Sequence, residues 1–106
     1  MFTKIGDPSG VAFSQHQLGT ISEDQGNFAE AARLFDQSLQ TRAAIGDKRG
    51  KFLSLAQLGR LKQLQGNFRE ALEFYTAANR EMPGWRSENA RKVEKWIAEI
   101  QQIAPA

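Results

Sequence analysis

Cysteine is absent from the 106 residues, and histidine occurs once, at position 16. Without a thiol the chain can form no disulfide, no cysteine nucleophile and no cysteine-bound zinc site. His16 has no serine or cysteine signature to act with, and the acidic pair Glu23 and Asp24 lacks further ligands for a metal ion. The composition therefore favours a protein that is not an enzyme and that uses no cofactor or metal.

Long apolar runs are also missing. A bilayer-spanning helix needs roughly 20 predominantly apolar residues, and a secretory signal needs an apolar core of about 7–15 residues. The sequence contains neither pattern. We therefore expect a cytoplasmic protein with no membrane partner, and a chain of this length is enough for one small domain or part of a larger one.

Basic residues are not dense either. The chain has 14 Lys and Arg against 12 Asp and Glu, a formal net charge of +2. Residues 1–45 hold three basic and five acidic side chains, and residues 46–106 hold eleven and seven. A dedicated nucleic-acid binder would carry a stripe of Lys and Arg, so we expect no nucleic-acid partner. Contact with DNA or RNA remains a weaker alternative through one basic set: Arg86, Arg91, Lys92 and Lys95.

What the sequence does contain is an internal repeat. Shifting the chain by 40 residues aligns 13 identical residues over positions 6–35 without a gap. The matches include residues 17–19 with 57–59 and residues 25–28 with 65–68. Two units of about 40 residues therefore organise most of the chain.

Each unit is predicted to form two helices. Asp7 and Asp47 stand where N-caps are needed, and the glycine of each Gln-Gly-Asn turn allows the positive φ of a helix end. Asn27 with Glu30 resembles a capping box at the start of a second helix, and the second unit repeats this pattern. The predicted helices span residues 8–25, 28–45, 48–65 and 68–80.

Two glycines fall inside the predicted first helices. Glycine in a helix interior costs about 0.5–1 kcal/mol relative to alanine, so a close approach by another helix is the physical reason to keep it. We expect Gly19 and Gly59 to face the small residues Ala31 and Ala71 of the second helices.

The order Leu-Gly, Gly-x-Phe, Glu-Ala and then an aromatic residue four positions after that alanine resembles the tetratricopeptide repeat. In the first unit the residues are Leu18, Gly19, Gly26, Phe28, Ala31 and Phe35. In the second unit they are Leu58, Gly59, Gly66, Phe68, Ala71, Tyr75, Ala78 and Pro83. The first unit is longer than the usual 34 residues and resembles the 40-residue variant of the family. The resemblance implies an all-α fold, a right-handed α-solenoid of antiparallel helix pairs.

Both ends of the chain lie outside the repeat signature. Residues 85–106 are predicted to form an amphipathic helix that caps the solenoid, the fifth helix of the fold. Its predicted apolar face is Ala90, Val93, Trp96, Ile97, Ile100 and Ile103. Residues 1–6 align with the end of a second helix and are predicted to be the stub of a preceding repeat. The predicted units are residues 7–45 and residues 46–84.

The resemblance also implies a function in protein binding, as an adaptor or scaffold in a larger array. The first helices of such repeats line a concave groove that holds an extended peptide or a helix. Carried over by position, the groove residues are Phe13, His16, Thr20, Glu23, Asp24, Leu53, Ala56, Arg60, Gln63 and Leu64. For Leu53, Ala56 and Leu64, packing between helices is an equally good interpretation.

A second interpretation concerns the beginning of the chain. A solenoid end without a neighbour leaves an apolar face exposed, and two repeats are fewer than the three usually needed for stability. The candidate residues for self-association are Phe2, Ile5, Val11 and Phe13, and Leu18 is also expected to be exposed. The alternative function is a self-assembly module that forms a homodimer, with or without exchange of helices.

Overall fold

The computed structural model describes residues 7–81 and 88–103, and within them five helices follow one another, each packed against the next. The helices are α1 (Pro8–Asp24), α2 (Phe28–Ala44), α3 (Lys48–Leu64), α4 (Phe68–Glu81) and α5 (Glu88–Ile103). The predicted all-α arrangement of helix pairs plus one further helix is confirmed. The stub at residues 1–6 and Pro83 lie outside the described residues, and the unit boundaries stay a prediction.

The aspartate caps form as predicted. The Asp7 carboxylate accepts a hydrogen bond from the backbone N–H of Gly10 at 3.2 Å, and the Asp47 carboxylate accepts one from Gly50 at 2.8 Å. Both satisfy a backbone donor that the first turn of a helix leaves without a partner. The turn after α1 depends on Gly26, whose φ is 78°, because that value disfavours residues with a Cβ.

The capping box predicted for α2 is wrong. The Asn27 side chain makes no cap hydrogen bond, and the Glu30 carboxylate instead accepts from the Arg33 guanidinium at 2.9 and 2.6 Å. In the second unit the Asn67 side-chain amide donates to the Glu70 carboxylate. In the first unit, Glu30 therefore forms a salt bridge with Arg33, about one turn further along the helix, and does not cap the helix.

The core has two clusters of buried residues. One joins the two units, where Leu58 and Leu61 of α3 pack with Ala31 and Phe35 of α2. The other fills the second unit and its junction with α5; it contains Phe52, Leu55, Ala56, Ala71, Tyr75, Ala78 and Ile100. Trp96 and Ile97 of α5 pack against this second cluster. The covering role predicted for α5 is confirmed for these side chains, whereas those of Ala90, Val93 and Ile103 lie outside the described residues.

The two helical glycines do allow a close approach, but the nearest neighbour is an aromatic ring. A Cβ added to Gly19 would lie 2.7 Å from the Phe35 ring, and one added to Gly59 would lie 2.6 Å from the Tyr75 ring. At Gly59 the backbone oxygen of Ala71 also lies 3.2 Å from the added Cβ, as expected, whereas at Gly19 the three nearest atoms all belong to Phe35.

Candidate peptide-binding site

The residues predicted to line a groove form equivalent rows on α1 and α3. Each member on α1 has a counterpart 40 residues later on α3, and the spacing of three and four residues keeps each row on one helix face. We call these rows the first-helix surface, which consists of Phe13, His16, Thr20, Glu23, Asp24, Leu53, Ala56, Arg60, Gln63 and Leu64. Because the positions are equivalent, the environment of each residue can be compared directly with that of its counterpart in the other unit.

The apolar members of the first-helix surface differ in exposure. Phe13 is 59% exposed and Leu64 is 47% exposed, so both can contact a partner. Leu53 is half-buried against the second-unit core, and Ala56 is a core residue that is 8% exposed. For Ala56 the packing interpretation therefore holds, because its side chain is covered by its neighbours.

In the second unit, Gln63 and Arg60 of the first-helix surface each contact an aromatic side chain beneath them. The Tyr75 hydroxyl donates to the Gln63 side-chain oxygen at 2.8 Å, and burial raises the pKa of the Tyr75 phenol. The Tyr75 ring stacks on Trp96 of α5, with ring centroids 5.4 Å apart, and the Arg60 guanidinium lies 5.4 Å from the centroid of Trp96. This geometry is that of a cation–π contact, and it fixes a cation on the first-helix surface.

In the first unit the equivalent ring lacks the hydroxyl. Phe35 takes the place of Tyr75, and Glu23 takes the place of Gln63. The His16 ring lies over Phe35 with centroids 5.5 Å apart. Glu23 Oε1 and His16 Nδ1 are both buried, and neither makes a hydrogen bond within the part of the chain that the structure describes.

The same two groups have shifted pKa values. Burial raises the pKa of Glu23, and the neighbouring Asp24 carboxylate adds to the rise, while Arg60 opposes it. Burial lowers the pKa of His16, and the positive charge of Arg42 lowers it further. The environment therefore disfavours the charged form of each group.

Sequence reasoning missed two contributors to the site. Trp96 was expected only to cover the core, yet it also supports Arg60. Tyr75 was interpreted as a family aromatic, yet its hydroxyl engages Gln63. The sequence alignment could have indicated this difference, because Tyr75 aligns with Phe35, which has no hydroxyl, and Gln63 aligns with the carboxylate Glu23.

A second surface of interest lies on another face of α1. Leu18 and Ile21 are each 52% exposed, whereas their counterparts Leu58 and Leu61 are 3% and 0% exposed because α2 covers them. Val11 is 40% exposed, as predicted. The exposure predicted for Leu18 is confirmed, Ile21 was not anticipated, and Phe2 and Ile5 lie outside the described residues.

Other kinds of site find no support in residues 7–81 and 88–103. These residues contain no group of three or more His, Cys, Asp or Glu side chains arranged to hold a metal ion. None of their helices is both long enough and apolar enough to cross a bilayer.

Comparison with known protein families places the chain in one of them. A family model described as tetratricopeptide repeat matches residues 10–78, which include all of α2 and α3 and most of α1 and α4. No curated protein matches the chain.

Proposed function

Because the chain belongs to the tetratricopeptide repeat family, a family of protein–protein interaction modules, we propose that it binds a protein partner on the first-helix surface. The partner lies there as an extended peptide or a helix. The proposal includes no catalytic step and no cofactor, and it places the protein in the cytoplasm as an adaptor or scaffold.

The observation that supports this proposal is that the first-helix surface carries charged side chains that form no ion pair within the described residues, together with exposed apolar side chains. Arg60 is held over Trp96 but forms no ion pair with any described residue. The Glu23 side chain is half-buried and forms no ion pair with any described residue, and Phe13 presents an exposed ring. A polypeptide offers apolar side chains, donors and acceptors together, so it can satisfy all three kinds of group.

The test uses a display library of random peptides selected against the full chain. Selected peptides are expected to shift backbone NMR signals of α1 and α3, and the double variant Glu23→Ala with Arg60→Ala is expected to weaken their binding at least about tenfold. The matched control is Arg69→Ala with Glu73→Ala, which removes one cation and one carboxylate from a depression lined by residues of α4. Signal shifts confined to α2 and α4, or equal losses in both double variants, would contradict the proposal.

Self-association is a second candidate, favoured by the exposed face of α1. Val11, Leu18 and Ile21 follow at spacings of seven and three residues, which put them on one face of the helix. Phe13 lies about 200° around the helix from Val11, so it belongs with the first-helix surface. A second copy that presents the same face would form a two-fold symmetric contact.

The molar mass in solution tests this second candidate. The double variant Leu18→Gln with Ile21→Gln is expected to turn a dimer into a monomer in sedimentation equilibrium. Ile45→Gln with Leu64→Gln is the matched control, since these apolar side chains are similarly exposed at 41% and 47% but lie elsewhere. A monomeric mass for the unmodified chain at high micromolar concentration would exclude the dimer.

A further inference from the structure

The junction between the two units has an apolar end and a polar end. At the apolar end, Phe35 in the first half of α2 packs with Leu58 and Leu61 in the second half of α3. Hydrophobic contacts of this kind are not directional, so they hold the helices together more firmly than they fix the angle between them. A directional contact elsewhere in the junction would limit how far one unit can turn against the other.

At the polar end, the Arg42 side chain of α2 reaches the first half of α3. Its Nη1 donates to the backbone oxygen of Gly50 at 3.3 Å and to the Ser54 hydroxyl at 3.0 Å. Arg42 is 9% exposed and Ser54 is fully buried, so this contact is sheltered from water. Hydrogen bonds from a charged donor are stronger than neutral ones and depend on direction. The contact lies about 10 Å along α2 from Phe35.

Gly50 leaves the space that this contact needs. A Cβ added at Gly50 would lie 2.6 Å from Cδ of Arg42, so any other residue would have to displace the arginine side chain. The same glycine donates its backbone N–H to the Asp47 carboxylate at 2.8 Å. The start of α3 therefore accommodates the Arg42 side chain and its own N-cap at one position.

The charge of Arg42 has no ion-pair partner among residues 7–81 and 88–103. Burial lowers the pKa of its guanidinium, and the negative charge of Asp47 opposes that shift. Burying a charge without an ion pair costs free energy, and an apolar side chain of similar length would avoid this cost. In some proteins a buried polar group serves to make one arrangement unique and adds no stability.

We propose that Arg42 is a positioning residue, whose contact with Gly50 and Ser54 fixes the angle between the two units. It thereby sets the separation of the α1 and α3 rows of the first-helix surface. On its other side α2 has a second buried hydrogen bond, from the Ser38 hydroxyl to the backbone oxygen of Ala12 on α1 at 2.9 Å. The two contacts lie about one helical turn apart on α2. Loss of the Arg42 contact would let α3 turn about the apolar end of the junction.

The absence of cysteine makes this angle measurable with two spin labels on the full chain. The pair Ser9→Cys with Lys48→Cys lies at exposed positions at the starts of α1 and α3. The pair Gln25→Cys with Gln65→Cys lies at exposed positions where the same helices end. Double electron–electron resonance gives a distance distribution for each pair. Turning about the apolar end changes the first pair more than the second.

Arg42→Met is expected to broaden the distribution of the first pair and to shift its centre by at least about 2 Å, with little change in the second pair. Arg42→Lys keeps a charged donor and is expected to restore a narrower distribution. Arg33→Met is the matched control, because it removes an exposed arginine of the same helix. A distribution for Arg42→Met that matches the one with Arg42 present would overturn the proposal, whatever the stability of the variant.

Ser54→Ala makes a smaller change at the same contact and keeps the proposal testable if Arg42→Met fails to fold. It removes one acceptor, leaves the arginine in place and is expected to broaden the distribution of the first pair. Circular dichroism confirms that the labelled variant has the helix content of the unmodified chain. An unchanged distribution in a folded Ser54→Ala chain, with Arg42→Met unfolded, would also overturn the proposal.

The distance measurement needs no partner, so its result does not depend on the proposed function. A partner that contacts both rows is expected to bind Arg42→Met more weakly, although Arg42 is not part of the first-helix surface. A broadened distribution with unchanged peptide affinity would contradict a partner that spans both rows and would leave the role of Arg42 standing. An unchanged distribution with weakened binding would overturn the role of Arg42 and leave the proposed function standing.

Discussion

At the scale of single residues, the aromatic ring packed beside an acceptor of the first-helix surface determines whether that acceptor receives an internal hydrogen bond. Tyr75 and Phe35 occupy equivalent places, yet only Tyr75 can satisfy an acceptor on the neighbouring helix. One oxygen atom therefore separates a closed hydrogen-bonded pair in the second unit from an open acceptor in the first. Because Gln63 and Glu23 differ in charge as well, the two units present different chemistry from the same backbone.

The titration of His16 gives a prediction at this scale. Its folded-state pKa is below 6.5, so as the pH falls below about 6.5 the unfolded chain takes up a proton that the folded chain refuses. The stability contributed by neutral His16 is present above that pH and is lost as the pH falls towards the lowered pKa. We expect the imidazole signal of His16, the single histidine, to titrate below 6.5 in NMR spectra.

The control for that titration is His16→Ala, which copies Ala56. Glu23 has a raised pKa, and Asp24, Arg42 and Arg60 also carry charge near the two groups, so the total pH dependence has several sources. The difference in stability between the unmodified chain and His16→Ala isolates the histidine and should decrease as the pH falls below 6.5. A difference that grows as the pH falls would show that the imidazolium is favoured in the fold.

Gly19 provides a second residue-scale prediction. Alanine would gain about 0.5–1 kcal/mol over glycine in an open helix position, but here its Cβ would lie 2.7 Å from a fully buried Phe35 ring. Overpacking of this kind costs typically about 1–3 kcal/mol. Gly19→Ala is therefore expected to be less stable than the unmodified chain in urea unfolding, whereas Gln17→Ala, at an exposed site on the same helix, should change little. A gain in stability for Gly19→Ala would mean that the ring can move aside.

At the scale of helices, the neighbouring helices determine how much of the apolar surface of α1 and α3 is buried. α3 packs against α2 and also contacts α5. Its apolar residues Leu58 and Leu61 are therefore buried in the core. α1 carries Leu18 and Ile21 at the same positions with half of their surface exposed. Equivalent sequences thus have different environments because a helix packs against its neighbours along the chain.

The contribution of α5 can be measured at Ile100. This side chain is 1% exposed and belongs to the core of the second unit. Truncation of a buried isoleucine costs typically about 2–5 kcal/mol, so Ile100→Ala is expected to lower the free energy of unfolding by that amount. Gln101→Ala, at an exposed position of the same helix, is the control. Similar stability of the two variants would show that α5 covers the core only loosely.

At the scale of the whole molecule, two side chains tie the core clusters together. Leu39 of α2 and Phe74 of α4 each pack against both clusters. Repeat proteins are stabilised mainly through contacts between neighbouring units. These shared contacts predict that the two units unfold together.

The test of this cooperativity compares two probes of unfolding. In a Trp85→Phe chain, whose single tryptophan is Trp96, helix content by circular dichroism and tryptophan fluorescence are expected to give the same urea midpoint, because Trp96 packs on the second cluster. Leu39→Ala is expected to lower that midpoint and to separate the two curves. Coincident curves for Leu39→Ala would show that the clusters remain coupled without this side chain.

Local patterns in the sequence determined the helices and their first turns. Asp7 and Asp47 act on backbone groups three residues away, and the turn glycines need only their own φ. The family and the helix-pair fold also followed from the 40-residue register, because the repeated motif encodes contacts between adjacent helices. The same local logic failed at Asn27, since a competing Arg33 one turn later takes Glu30.

Only the tertiary structure decided which remote residues meet. The approach of Phe35 to Gly19, the stack of Tyr75 on Trp96 and the burial of Glu23 Oε1 depend on how far one helix slides and rotates against the next. That geometry comes from close packing of all the side chains between the helices, and no short pattern encodes it. By itself the sequence determined two helix pairs, a capping helix and a surface on which to look for a partner. The packing decided which atoms on that surface are already satisfied and which still need a partner.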